Sequence, residues 1–264
     1  EVFDTYFKAL EIDSRAPLLS GWTSWYQHYT AVTADIVEDN LQAFRNLNIP
    51  IQVFQIDDGW ERAIGDWLEP DASFEGRMRS LAEEITAAGY TPGLWIAPFI
   101  VEENSHIFQE HPEWCVADQN GVPRVMGYNP FQWQGNFYAL NIYSPAVRDY
   151  LEEVFQRVIH EWGYRFLKLD FLYAAARVPF SGRSRGMIMN DAMEFLYSLS
   201  DDTVTLGCGV PLAYAAGRNQ YCRIGADVAP KWEDKPLKLL GYRERVSTVN
   251  SLRSTIGRRR LNGR

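Results

Sequence analysis

Tyr164-Arg165-Phe166-Leu167-Lys168-Leu169-Asp170 sets an ammonium and a carboxylate into the end of an otherwise apolar run. Side chains alternate across a β-strand, so Phe166, Lys168 and Asp170 share one face while Leu167 and Leu169 share the other. The leucines are expected to pack on a layer of helices, and Lys168 and Asp170 to meet at the strand's C-terminal end. A strand buried on both faces normally reads as a continuous apolar run, so the two charges need a reason. The same polar ending recurs at Gln55-Ile56-Asp57-Asp58 and at Cys222-Arg223-Ile224-Gly225-Ala226-Asp227. Active sites of parallel barrels lie where the strands end. Acids repeated at such positions therefore point to a barrel enzyme with a carboxylate-lined pocket.

Working outward, strand and helix patterns alternate. Strands are predicted over 19–26, 51–57, 92–98, 166–170, 203–208 and 221–226. One helix is predicted over 34–47, with Thr33 as its cap and Val37, Leu41 and Phe44 on one stripe. A second carries Met78, Leu81, Ile85 and Ala88 and stops at Gly89. A third opens at Ser144-Pro145, a cap residue with proline in the first helical position, and ends at Gly163. Further helices are predicted over 190–199 and 247–260, and residues 99–143 read as a long functional loop. Strand–helix–strand units call for a parallel sheet with right-handed crossovers. The expected fold class is α/β, a (β/α)8 TIM-type barrel. Closure needs eight strands, so a barrel cut short after about six is expected, as one catalytic domain over 1–264.

The bulk composition agrees. A chain of 264 residues, 46% hydrophobic and 23% charged, suits one large globular core. No apolar run approaches the ~20 residues that cross a bilayer, so no membrane partner is expected. The net charge of −8 argues against a nucleic-acid partner. Residues 242–264 run the other way, with arginines at 243, 245, 253, 258, 259, 260 and 264 against Glu244, and read as a solvated helix end. Cys115, Cys208 and Cys222 form no C-x-x-C pair and fit a reducing compartment. The chain begins at Glu1, as a processed or excised chain does, with no basic-then-apolar leader. A cytoplasmic location is expected. The four histidines show no metal-ligand spacing, and neither metal nor cofactor is expected.

Among the strand-end acids, Asp170 beside Lys168 suits a nucleophile, and Asp227, following Arg223 and Gly225 on one strand face, suits its proton-delivering partner. Glycoside hydrolysis needs such a pair. Asp57 and Asp58 could accept hydrogen bonds from two sugar hydroxyls. Alternatives stay open on the residues alone. Lys168-x-Asp170 and Arg223…Asp227 could be plain ion pairs, Asp57-Asp58-Gly59 could be a turn, and the four aspartates could hold Mg²⁺. A non-catalytic sugar-binding module is a further reading.

Six runs in order resemble the family 36 α-galactosidases (melibiases). They are Gly21-Trp22-Thr23-Ser24-Trp25-Tyr26, Gln55-Ile56-Asp57-Asp58-Gly59-Trp60, Gly93-Leu94-Trp95-Ile96-Ala97-Pro98-Phe99, Lys168-Leu169-Asp170-Phe171-Leu172, Leu206-Gly207-Cys208-Gly209 and Arg223-Ile224-Gly225-Ala226-Asp227. The resemblance implies a retaining, metal-free double displacement on terminal α-galactosides, with oligosaccharides as substrate. It implies Asp170 as nucleophile, Asp227 as acid/base, and Asp57 and Asp58 on the galactose 4- and 6-hydroxyls. Lys168, Arg223 and Cys208 would line the sugar pocket, and Trp25, Tyr26 and Trp95 its aromatic wall. Transfer to another sugar, as in raffinose-type synthases, is the alternative within the family. The family's N-terminal β-sandwich, last barrel strands and C-terminal β domain are not expected within these residues. Oligomeric state is not legible.

Overall fold

A computed structural model of the protein describes residues 5, 8–9, 16–130, 132–229, 231–233, 235–241 and 246–258. Three strands come first: β1 (Gly21–Thr23), β2 (Val53–Ile56) and β3 (Thr91–Ile96). Three shorter-range partners follow, β4 (Ile100–Glu102), β5 (Val125–Asn129) and β6 (Gly135–Ala139), and then β7 (Phe166–Leu169), β8 (Val204–Gly207) and β9 (Tyr221–Cys222). β1-β2-β3-β7-β8-β9 form one all-parallel sheet, each strand beside the next. The sheet curls as part of a (β/α) barrel, as the alternating pattern predicted.

Helices α1 (Ala34–Leu47), α2 (Met78–Ala87), α3 (Pro145–Gln156) and α4 (Arg185–Leu199) make the crossovers between those strands. Each turns an apolar stripe inward: Val37 and Leu41 from α1, Leu81 and Ile85 from α2, and Leu151 and Val154 from α3 are buried. The helix-facing side of the sheet supplies Phe54, Ile56, Leu94, Ile96, Leu167 and Leu169 to the same core. Each such side chain contributes about 1.5–3 kcal/mol on burial. That leaves the alternate positions, Gln55, Trp95 and Lys168 among them, for the inside of the curl.

Several boundaries differ from expectation. The first strand stops at Thr23 because Ser24 N–H donates to the Gln55 carbonyl (3.2 Å) while Ser24 Oγ accepts from Asp57 N–H (2.8 Å). Trp25–His28 then form one helical turn. The last strand is only two residues long, with one further ladder bond from Arg223 N–H to the Gly207 carbonyl (2.9 Å). Asp227 therefore sits on a loop beyond the strand, not on a strand face with Arg223 and Gly225. Thr33 caps α1 as predicted, accepting from Ile36 N–H. Ser144 makes no side-chain cap, although Pro145 opens α3. After Gln156 the helix widens into a π-helical turn, Arg157–Trp162, before Gly163 reverses the chain at φ 90°. α4 starts five residues earlier than predicted, because Ser184 accepts from Met187 N–H. The last described helix, α5 (Thr248–Arg258), starts one residue after the predicted Ser247. Its predicted end at 259–260, and Arg243, Arg245, Arg259, Arg260 and Arg264, lie outside the described residues.

Residues 99–143 are not an irregular loop. They hold the antiparallel sheet β4-β6-β5 and the short helix His106–Glu110. Gly127 on β5 lies under the Phe137 ring, where a Cβ would collide with the ring. That close approach sets Phe137 edge-on to Trp133 (5.4 Å) and Phe171 (5.8 Å). The side sheet thereby becomes a wall beside the end of β7.

Candidate active site at the strand ends

Register brings the polar residues together. Thr23 aligns with Gln55, Gln55 with Gly93, and Trp95 with Lys168 across the parallel ladder. Gly93 leaves the room that the Gln55 side chain occupies, since a Cβ there would touch Gln55 at 3.0 Å. Gln55 Nε2 donates to Asp57 Oδ2 (2.5 Å), as does Thr23 Oγ1 (3.0 Å), and Asp58 N–H donates to Asp57 Oδ1 (3.1 Å). Lys168 Nζ completes the set at 2.9 and 3.2 Å. Lys168 thus pairs with Asp57, 111 positions away, rather than with Asp170. Burial alone would depress the Lys168 ammonium. Attraction to Asp57 and then Asp170 outweighs it and holds the group above its ordinary value.

The cation against Asp170 is Arg223. Its Nη2 lies 3.5 Å from Asp170 Oδ1, while its Nη1 is hydrogen-bonded to Asp227 Oδ1. One guanidinium therefore touches both acids, one at the end of β7 and the other on the loop that follows β9. Each acid is also held by an indole. Trp95 Nε1 donates to Asp170 Oδ2 (3.3 Å), and Trp25 Nε1 donates to Asp227 Oδ2 (3.4 Å). Asp170 Oδ1 further accepts from the N–H of Phe171, whose φ of 53° is left-handed. That conformation costs a non-glycine residue about 1–2 kcal/mol, and ring contacts to Trp133, Phe137 and Tyr173 hold it. Tyr26 is half-exposed at the mouth. Burial first, then the charge of Asp227, raises its hydroxyl above the ordinary value. Cys208 is fully buried at the end of β8, and burial followed by Asp170 pushes its thiol up, so it is a neutral thiol.

Two residues of this site carry no signal in the strand pattern. Trp133, from the turn between β5 and β6, donates Nε1–H to Asp58 Oδ2 (3.0 Å) and packs on Phe171 at 4.8 Å. Glu61, three residues past Asp58, is buried beside the same turn and accepts from the Gly59 N–H at 3.3 Å. The only textual hint was an acid close to the Asp57-Asp58 pair. Trp60, by contrast, is core, donating to the Trp95 carbonyl (2.8 Å) and packing on Trp67 and Trp162. A cleft of about 310 Å³ runs beside this group, lined by Asp58, Glu61, Glu102 and Trp133 but not by Asp170 or Asp227.

Among the described residues, Asp66, Glu69 and His106 are close enough to share a cation. Arg62 already bridges the two acids at 2.5 and 3.1 Å. This cluster carries its own counter-charge.

Fold and site define a (β/α)-barrel protein with an acid-lined pocket at the C-terminal ends of its strands. The family model for melibiases matches residues 7–203, and the chain belongs to the melibiase family. It is 27% identical over 182 residues to a probable α-galactosidase C of Aspergillus flavus, a match covering 62% of this chain and 22% of that protein. It is 28% identical over 127 residues to the α-galactosidase AgaA of Geobacillus stearothermophilus, covering 46% and 16% respectively. The Thermus thermophilus α-galactosidase TtGalA, solved with p-nitrophenyl α-D-galactopyranoside, superposes with a TM-score of 0.86 at 35% identity, over 98% of this chain and 52% of that one. Its complex with stachyose superposes equally well. The chain spans about half the length of that enzyme and about a fifth of the curated relatives it matches.

Proposed function

We propose that this protein is a retaining α-galactosidase, releasing terminal α-linked galactose from oligosaccharides by double displacement. The observation that carries the reading is the shared guanidinium: Arg223 contacts Asp170 and Asp227 together at the strand ends. Retaining glycosidases keep their two carboxyl groups only about 5–5.5 Å apart, and one guanidinium reaching both suits that spacing. The TtGalA complexes with an aryl galactoside and with stachyose support the substrate class.

In this reading Asp170 attacks the anomeric carbon from the β face while Asp227 gives its proton to the departing aglycone oxygen. Asp227 then takes a proton from water, which releases galactose and frees Asp170. Trp95 and the Phe171 N–H aim the nucleophile, and Trp25 aims the acid. A carboxylate offers about four acceptor sites. Asp57 already accepts from four donor groups, so its part is to hold Lys168 in the pocket. Asp58 has more acceptor capacity for the sugar's 4- and 6-hydroxyls. Lys168 and Arg223 are the cations already facing Asp57, Asp170 and Asp227, which favours the glycosidase reading over a divalent-metal enzyme.

In the full-length protein, p-nitrophenyl α-galactoside should yield α-galactose as the first sugar product by NMR. Asp170→Ala should abolish turnover, and azide should restore it with β-galactosyl azide as product. First release of β-galactose, or Asp170→Ala activity without azide, would refute the assignment.

A further inference from the structure

The turn after β1 holds a backbone outlier with no part in the double displacement. Tyr29 sits at φ 49° and ψ −140°. Positive φ by itself is ordinary at a helix end: Asn48 closes α1 at φ 50° and ψ 45°, the usual left-handed basin. Tyr29 departs from that basin in ψ, into a region where a Cβ crowds the backbone and which glycine occupies at little cost. Such strain persists only where neighbours fix it, and it gathers at active sites and ligand clamps. Here the neighbours do fix it. The Tyr29 N–H donates to the Trp25 carbonyl, and the His28 N–H donates to the Ser24 carbonyl at 3.0 Å. On the other side, Thr30 lies so close to Gly59 that a Cβ at Gly59 would come within 2.8 Å of the Thr30 Cα.

What the strained turn sets in place is a ring. The Tyr29 side chain is 51% exposed, so its burial offsets little of the backbone cost. Its ring meets the Trp25 ring edge-on, with centroids 5.1 Å apart. Trp25 is buried, and its Nε1 donates to Asp227 Oδ2 at 3.4 Å. Tyr29 is therefore one ring removed from the carboxyl that protonates the departing oxygen in the proposed reaction. The sugar that carries this oxygen must lie against Asp227 when the proton moves. A pyranose has an apolar C–H face, and a half-exposed tyrosine offers it a flat apolar body with a polar tip.

We infer that Tyr29 is a specificity-determining residue for the leaving group: its ring is a stacking platform for the hexose that an α-galactosyl oligosaccharide releases beside Asp227. The inference rests on the proposed role of Asp227 as acid/base. It accounts for a tyrosine where the backbone suits glycine, since glycine would relax the turn but take the exposed ring away from the indole that holds Asp227. The platform touches the leaving sugar alone, so galactose by itself binds equally well without it.

The test is calorimetric titration of the full-length protein, carrying Asp170→Ala to stop turnover, with galactose and with stachyose. Stachyose should bind more tightly than galactose. Tyr29→Gly should cut that margin by about threefold to tenfold, the scale of one ring contact, and leave galactose binding unchanged. Tyr29→Phe keeps the ring and should keep the margin. Urea unfolding checks the backbone separately: Tyr29→Gly relieves the strain and should unfold at higher urea than Tyr29→Ala, which loses the ring but keeps the strain. Four results overturn the inference: a margin kept in Tyr29→Gly, a margin lost as fully in Tyr29→Phe, a loss shared equally by galactose, or Tyr29→Gly no more stable than Tyr29→Ala. In each of these the protein still binds galactose, and the α-galactosidase reading stands. If neither sugar binds and the protein with Asp170 intact hydrolyses no α-galactoside, the proposed function fails and the platform with it.

Discussion

Lys168→Met is the substitution whose consequence can be worked furthest. Lys168 and Asp57 meet at 2.9 Å, with side-chain exposures of 10% and 1%. Removing one partner of a buried ion pair costs about 3–5 kcal/mol, because the other charge stays behind without compensation. Asp57 keeps the N–H of Asp58, Gln55 Nε2 and Thr23 Oγ1 as donors, so the lower end, about 3 kcal/mol, is expected. With a urea slope of about 3 kcal/mol/M, the unfolding midpoint should fall by about 1 M. Tryptophan fluorescence follows the transition directly. Asp57→Asn should cost a comparable amount by stranding the ammonium, and Asp57→Asn with Lys168→Met should recover most of the loss, since replacing both partners of a buried pair is often near neutral. Attraction lifts the Lys168 ammonium above its ordinary value, so this contribution is complete below about pH 10.4 and fades only as pH rises through the higher folded value. The midpoint difference should therefore not change between pH 6 and 9. A loss under about 1 kcal/mol would mean that the pair behaves as a solvated surface contact, and the buried-pair argument would be wrong.

Trp133→Phe removes one indole donor from a buried carboxylate while keeping the ring; a hydrogen bond to a charged group is worth about 1.5–3 kcal/mol, so KM should rise roughly tenfold to a hundredfold with the fold intact by circular dichroism. Asp227→Ala should spare aryl α-galactosides with good leaving groups far more than stachyose, since only a poor leaving group needs the proton; equal losses on both would count against the acid role. Asp58 titrates near 6 when folded, above the ordinary 3.8, so the folded state keeps a proton that the unfolded chain has lost and stability falls as pH rises between about 4 and 6. Asp58→Asn should flatten that fall and raise the urea midpoint at pH 7, and an unchanged pH profile would refute it.

Much of the site was legible because alternation is a local rule. Alternation over Tyr164–Asp170 alone sends Leu167 and Leu169 to the helix layer and Lys168 and Asp170 to the opposite face, and the burial of both leucines agrees. Asp227 shows the limit. The alternation of Arg223, Gly225 and Asp227 predicts a shared strand face, but the ladder ends at Cys222 with one bond more from Arg223 N–H. Strand ends depend on how far the neighbour runs, which no local pattern records. The length and composition of 99–143 mark it as functional, yet its folding into β4-β6-β5 rests on pairings such as Ile100 with Ala139, between segments too far apart in the tract for any local pattern to record.

Periodicity and turn chemistry in the chain are enough to settle the class of fold, the inward face of the strand that carries Lys168 and the residue types at the strand ends. These follow from backbone geometry, which acts between residues two to four positions apart. The partnerships came only from the curled sheet: Lys168 with Asp57 across 111 positions, Trp133 with Asp58 across 75, and Arg223 with Asp170 across 53. Electrostatic attraction makes many such pairings acceptable, and the curvature of the sheet with the path of its connecting loops selects one.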